Sequence, residues 1–157
     1  MPYIELTRGK QAFVDDADFE ALSAFKWSVH RDSQSKAHWR AYRHIPKSGS
    51  KSIEMSRELM GIREGHVIDH RNRDTLDYRR SNLRWATHQQ NSQNRVRKNR
   101  IHPGVTKNGS GFTARISVGK GPKLNLGTFK SVGDAIRTYI AACNNHFGDF
   151  SPYSNAV

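Results

Sequence analysis

Asp69 and His70 stand side by side after the short apolar run Val67-Ile68, and Asn82 and Asn91 follow 12 and 21 positions beyond the histidine. These residue types suit one metal ion and one general base aimed at a phosphodiester. Hydrolysis of such a bond needs a deprotonated water, charge stabilisation at phosphorus and help for the departing oxygen. A neutral histidine titrates near working pH and can take the proton of water. A divalent cation can neutralise the phosphoryl oxygens and the leaving oxygen. Hard oxygen donors such as Asp and Asn side chains suit Mg²⁺ or Mn²⁺, with several waters retained. Asp69 and Asn91 therefore fit the ligand role and His70 fits the base, with Asn94 a competitor for the place of Asn91.

The elements around these residues must bring them together. His66 to His70 reads as a strand, so Asp69 and His70 point to opposite faces unless the strand ends or bends there. Arg71-Asn72-Arg73-Asp74 is a plausible loop from that point, and Leu83 to Ala86 a returning strand. Thr87-His88-Gln89-Gln90 has the pattern of a capping box, which opens a helix carrying Asn91 in its second turn. On a helix, His66 and His70 would be spaced as a zinc pair. On a strand they are not, and His88 reads as a surface residue of the helix start.

The ordered set Asp69-His70, then Asn82 within Ser81-Asn82-Leu83-Arg84, then Asn91 within Gln89-Gln90-Asn91 resembles the HNH nucleases with their ββα-metal fold. It is most similar to the HNH homing endonucleases of phages and mobile introns. The resemblance implies that His70 is the general base and that Asp69 and Asn91 bind one metal ion per site. It also implies that Asn82 braces the loop and orients the His70 ring. The Cys pairs of zinc-stapled variants are absent. Arg71, Arg79, Arg80 and Arg84 are candidates to track phosphates.

Charge points to the same class of partner. The 157 residues carry a net charge of +12 with 35% hydrophobic residues, and the pI is near 10.3. Residues 61–100 hold ten Lys and Arg against four Asp and Glu, the densest positive stretch of the chain. A polyanion such as double-stranded DNA is the natural partner. No apolar stretch approaches the ~18 residues of a membrane span, and no amphipathic Lys/Arg helix is evident, so a membrane is not expected. The start, Met1-Pro2-Tyr3-Ile4-Glu5, has no signal-peptide pattern, and the single Cys143 excludes an internal disulfide; a cytosolic protein is expected. Cys143 reads as a small buried hydrophobe on a helix, and Trp27, Trp39 and Trp85 as core rather than stacking residues.

The fold expected is α+β in three parts. Residues 1–60 form a small α/β region: strands Tyr3 to Thr7 and Gln11 to Val14, then a helix from Asp15 or Asp16 through Phe25 with Phe19, Leu22 and Phe25 on one face. Strands Trp27 to His30 and His38 to Ile45 and a short helix from Ser56 to Met60 follow. Its Val14-Asp15-Asp16-Ala17-Asp18 and Phe25-Lys26-Trp27 resemble the region that precedes the HNH motif in phage enzymes. Residues 61–95 form the nuclease motif and 96–102 a basic linker. Residues 103–150 form a three-stranded antiparallel sheet, Gly104 to Lys107, Phe112 to Val118 and Lys123 to Phe129, packed on one helix. That helix opens at Ser131 with Asp134, carries Val132, Ala135, Ile136, Tyr139, Ile140, Cys143 and Phe147 at helical spacing, and ends at Gly148.

Gly104-Val105, Ala114-Arg115-Ile116, Leu126-Gly127-Thr128-Phe129, Ala135, Tyr139, Ala142 and Phe147-Gly148 resemble the plant ethylene-response-factor DNA-binding domain. The resemblance implies a sheet in the DNA major groove with the helix behind it. The strand tryptophans of that family are replaced, and the strand arginines are fewer. Lys107, Arg115, Lys123 and Asn125 are the candidate contacts. The leading expectation is thus a metal-dependent DNA endonuclease, acting as a monomer or homodimer, with one site per chain that nicks one strand. A DNA-binding regulator with a vestigial site is the second, and an RNA-binding protein the third.

Overall fold

The computed structural model describes residues 2–31, 38–46, 51–94 and 102–154; the basic run Arg95 to Arg100, read as a linker, lies outside them. The fold is α+β, with small antiparallel sheets and four α-helices among the described residues. The chain divides into two compact units, Met1–Thr87 and His88–Val157.

In the first unit, β1 (Tyr3–Glu5) and β2 (Gln11–Phe13) pair antiparallel around a 3-10 turn at Thr7–Gly9. Their apolar residues recur every second position, so Ile4, Leu6, Ala12 and Val14 all face inward and are buried. Next comes α1 (Asp16–Ser23). Its expected apolar face is only partly realised: Leu22 is buried, but Phe19 and Phe25 are 39% and 42% exposed. Phe25 instead receives the Arg43 guanidinium over its ring, 4.1 Å from the centroid. Asp15 sits at the cap in extended conformation but makes no side-chain cap bond. Its carboxylate accepts a bond from the backbone N–H of Arg80 at 2.8 Å, a partner far along the chain.

A three-stranded antiparallel sheet follows, of β3 (Ser28–Arg31), β4 (Trp39–His44) and β5 (Ser52–Glu54), with β4 central. Sequence reading missed β5: unlike β1 and β2, whose apolar alternation continues into Leu6 and Val14, it has one apolar residue, Ile53, and runs straight into a helix. β5 runs directly into α2 (Met55–Met60). The hairpin β6 (Val67–His70) and β7 (Leu83–Ala86) closes the unit, with Asp69 opposite Arg84 and His70 opposite Leu83. The core joins both sheets through Trp27, Val29, Ala41, Met55 and Tyr78 with the β1–β2 residues.

In the second unit, α3 (His88–Gln93) comes first. The sheet of β8 (Val105–Asn108), β9 (Gly111–Ile116) and β10 (Leu124–Phe129) has β9 central and a register shift between Asn125 and Gly127. α4 (Val132–Phe147) packs on one sheet face, where Val105 and Ala114 meet Ala135, with Phe112, Leu126, Phe129, Ile136 and Tyr139 around them. Cys143 is buried in the same helix. Ser131 caps α4, its Oγ accepting from the N–H of Gly133, rather than in the reciprocal box with Asp134 that the spacing suggests. Asp134 pairs with Arg137 one turn on.

Candidate active site

The β6–β7 hairpin is short, yet it buries charge. Asp69 and His70 end β6 at 5% and 4% exposure, and Arg84, on β7, is 7% exposed. The cross-strand register sets Asp69 against Arg84. The Arg84 guanidinium donates from Nε at 2.8 Å and Nη2 at 2.6 Å, both to Oδ2 of Asp69. Two desolvated ions in contact give a strong, directional link that holds the carboxylate in one orientation. Arg84 was expected on phosphates; burial against Asp69 removes its head group from the surface.

His70 faces a different neighbour, as strand alternation requires. Its ring meets Tyr78 edge-on, centroids 5.4 Å apart and planes at 79°. Tyr78 is fully buried, and its hydroxyl accepts the N–H of Ala41 on β4 at 2.8 Å. The phenol is thus fixed by the neighbouring sheet and presents its ring to His70. Burial lowers the His70 pKa from 6.5 to about 4, with the Arg40 charge adding to the shift and Asp77 opposing it. The imidazole is therefore neutral at physiological pH, the form that can accept a proton, but burial also makes it a weaker base than the histidine titrating near working pH that the sequence suggests.

The strand ends at His70, where the chain turns. Arg73 takes a left-handed φ of 68° and donates its N–H to the His70 carbonyl at 2.9 Å. Asn82 lies at the far end of this loop and is buried. Its Oδ1 accepts the N–H of Asn72 at 2.9 Å and its Nδ2 donates to the carbonyl of Asp77 at 2.8 Å, while its own carbonyl accepts the N–H of Arg71 at 2.9 Å. One amide side chain thereby ties both limbs of the loop. Asp77, missed in the sequence reading, is a second tie. Its carboxylate accepts from Asn72 Nδ2 at 2.8 Å and from Arg79 Nε at 2.7 Å. Those side-chain bonds from Arg79, before any other cause, hold its pKa below the usual carboxylate range. The signal was local: an Asp two residues before an Arg can close such a ring of contacts. Tyr78 carried no local signal, because its partners come from β4 and β6.

The remaining candidates fall into two groups. Arg79 pairs with Asp77, and Arg80 pairs with Asp18 at 2.8 Å, so these two phosphate candidates each already hold a carboxylate. Arg71 lies exposed in the loop. In the second unit, Asn91 sits on α3, half-buried, and its competitor Asn94 follows the helix and is buried. Arg115 and Asn125 are register partners on the sheet face away from α4. They share that face with Thr106, Thr113 and Thr128, which align across the three strands. Lys107 aligns with Phe112 and Phe129, on the α4 side, so it does not share a face with Arg115. Lys123 precedes β10 and is exposed. Among the described residues no three His, Cys, Asp or Glu side chains group as a metal-binding cluster, and no helix is long and apolar enough to cross a membrane.

Residues 59–93 match the family model described as HNH endonuclease, a span that holds Asp69, His70, Asn82 and Asn91. The match supports an HNH nuclease, and with it a hydrolase. The chain matches no curated protein and no solved structure.

Proposed function

We propose that the protein is a metal-dependent HNH endonuclease that hydrolyses phosphodiester bonds in double-stranded DNA, of the homing or nicking type. The observation that carries this reading is a buried His70 at the last position of a strand, preceded by a buried Asp69, with Asn82 tying the loop that follows. The span of the family match supports it.

In this reading an imidazole nitrogen of His70 takes the proton of the attacking water. Tyr78 and the Asn82-tied loop keep that ring in place, which limits the reorganisation needed at the moment of reaction. Asp69 and Asn91 would hold Mg²⁺ or Mn²⁺. A carboxylate with an amide oxygen is a hard donor pair of the kind such ions accept alongside water and substrate phosphate. When bound, the ion supplies charge neutralisation at the phosphoryl group and the leaving oxygen. The place of Asn91 rests on its 21-residue offset and on the match, since it lies on α3 in the second unit. Arg84 acts on Asp69 and not on DNA. Arg71 remains a phosphate contact, and Arg79 and Arg80 become contacts only by exchanging a carboxylate for a phosphate. The β8–β10 sheet, through Arg115, Asn125 and Lys123, binds DNA in the manner of the ethylene-response-factor domain it resembles; Lys107 reaches DNA only past the sheet edge.

The test is relaxation of supercoiled plasmid with Mg²⁺, Mn²⁺ or EDTA, using wild type beside His70→Ala. Loss of about 10²–10⁴-fold in rate is expected of a missing general base. Equal rates for the variant would remove His70 from the chemistry. One observation favours a second reading, a DNA-binding regulator with a vestigial site: Asp69 already has a buried counter-charge in Arg84. Salt-sensitive DNA binding without nicking at any Mg²⁺ or Mn²⁺ level would select it.

A further inference from the structure

Trp39, the first residue of β4, has three cations over its ring. The Arg31 guanidinium lies 4.7 Å from the centroid, the Lys10 ammonium 5.7 Å and the Arg8 guanidinium 5.8 Å. They come from separate pieces of the first unit. Arg31 ends β3 and is the register partner of Trp39. Arg8 and Lys10 come from the turn that joins β1 to β2. Arg8 holds a left-handed φ of 63° and Gly9 the same. An arginine costs more there than a glycine would, so the turn keeps a cation at this place against its own backbone preference.

All three cations are exposed. Like charges gathered at one ring repel, and the attraction of each for the π face only partly offsets that. Among the described residues none of the three pairs with a carboxylate. Acids of the same two sheets have other partners: Glu54 on β5 holds Arg40, and Glu5 on β1 accepts from Gln11. Trp39 itself packs partly against the core. Three cations already held at the ring compete with a nucleobase for its π face.

We propose that this triad is a phosphate site that grips the backbone of duplex DNA, without reading its sequence. The inference rests on the proposed DNA substrate and extends the interface to the β1–β2 turn and β3–β4, where no contact is otherwise assigned. Trp39 is the scaffold that keeps three cations close enough for neighbouring phosphates.

The experiment measures binding of the full chain to a duplex oligonucleotide over a range of salt, in EDTA, for wild type and for the triple variant Arg8→Gln, Lys10→Gln, Arg31→Gln. Each neutralised phosphate contributes about 0.9 to the slope of log affinity against log salt, so the triple variant should lower that slope by roughly 2 to 3. In nicking assays the loss should fall on KM rather than kcat. An unchanged slope in a folded variant overturns the proposal. Acetylation of Lys10 in the wild-type protein gives a measurement that needs no variant: saturating duplex should protect it, and equal reactivity with and without DNA also overturns the site. A larger loss on single-stranded than on duplex DNA overturns the duplex assignment. Wild type that neither binds nor nicks duplex DNA defeats the underlying function as well, whereas wild type that cuts normally with an unaltered variant slope defeats the triad alone.

Discussion

The β6–β7 hairpin and the β8–β10 sheet are both small antiparallel sheets, and they differ in how much charge they bury. Beside Leu83 and Ala86, the hairpin buries Asp69, His70 and Arg84, with the adjoining Asn82 and Asp77. The sheet buries Val105, Ala114 and Ile116 with one hydroxyl, Thr113, and no charge, and α4 adds Ala135 and Cys143. Apolar burial is non-directional, and neighbouring side chains can shift to fill the same space. Buried charge allows no such latitude, because each group needs its own partner at its own angle. A chain that places an ion pair and a neutral imidazole inside a four-residue strand pair forgoes stability there. Such departures from ordinary patterning cluster where function demands a fixed polar geometry.

The sharpest way to break this contrast is to remove one arginine from each region. Arg84→Ala leaves the Asp69 charge buried without its guanidinium, and breaking a buried pair costs about 3–5 kcal/mol. Arg115→Ala, on the exposed sheet face, should change stability by less than about 0.5 kcal/mol. Urea unfolding combined with hydrogen exchange of β6 and β7 amides reads both. If the two variants cost the same, Arg84 is not the anchor of Asp69.

The same contrast divides what the sequence revealed from what it hid. α4 was legible almost to its ends, because sixteen residues of helical periodicity, a serine cap and a terminal glycine all agree. The three strands before it were legible from their glycine turns. In the first unit the signals were short or shared. Phe19 and Phe25 fit a helical face with Leu22, but the core they would join is already filled by Trp27, Met55 and Tyr78. The residue types of the Asp-His-Asn-Asn set were visible in order, since chemistry restricts them. The supports were not: Tyr78 depends on Ala41, and Asp15 depends on Arg80, contacts between segments no local pattern joins. Arg84 could have been found by setting β6 against β7, since that register puts a guanidinium opposite a carboxylate.

The buried imidazole makes a pH prediction for the protein without added metal. In the unfolded chain His70 titrates near 6.5, and in the fold near 4. Above pH 6.5 both states are neutral and stability is complete. As pH falls towards 4 the unfolded state binds the proton first, so stability declines across that window. The full gap corresponds to roughly 3 kcal/mol. His70→Gln cannot titrate, and its stability should lose this segment of the pH dependence. Superimposable profiles for the two proteins would mean that the imidazole is not held neutral by burial.

An effect of smaller size tests the apolar side. Gly104 has φ of +80°, and a Cβ there would lie 2.0 Å from Cε2 of Tyr139 and 2.6 Å from the Arg115 carbonyl oxygen. Gly104→Ala must strain the backbone and push Tyr139 away, at a cost of about 1–3 kcal/mol. The loss should appear in exchange of β8–β10 amides and leave β6–β7 protection unchanged. Protection lost equally in both regions would contradict the division of the chain into two compact units.

The smallest effect separates two helix starts that look alike in sequence. Ser131 Oγ accepts the Gly133 N–H at 3.1 Å, so Ser131→Ala should weaken the first turn of α4 by about 1 kcal/mol. Asp15 occupies the same place before α1 and caps nothing. Asp15→Ala should therefore leave the amides of α1 as protected as before and loosen the loop at Arg80, whose N–H it holds. Amide exchange at Gly133 for the first variant and at Arg80 for the second measures each. A fraying of α1 in Asp15→Ala would return that residue to an ordinary capping role. It would also remove one of the long-range ties that fix the loop between His70 and Asn82.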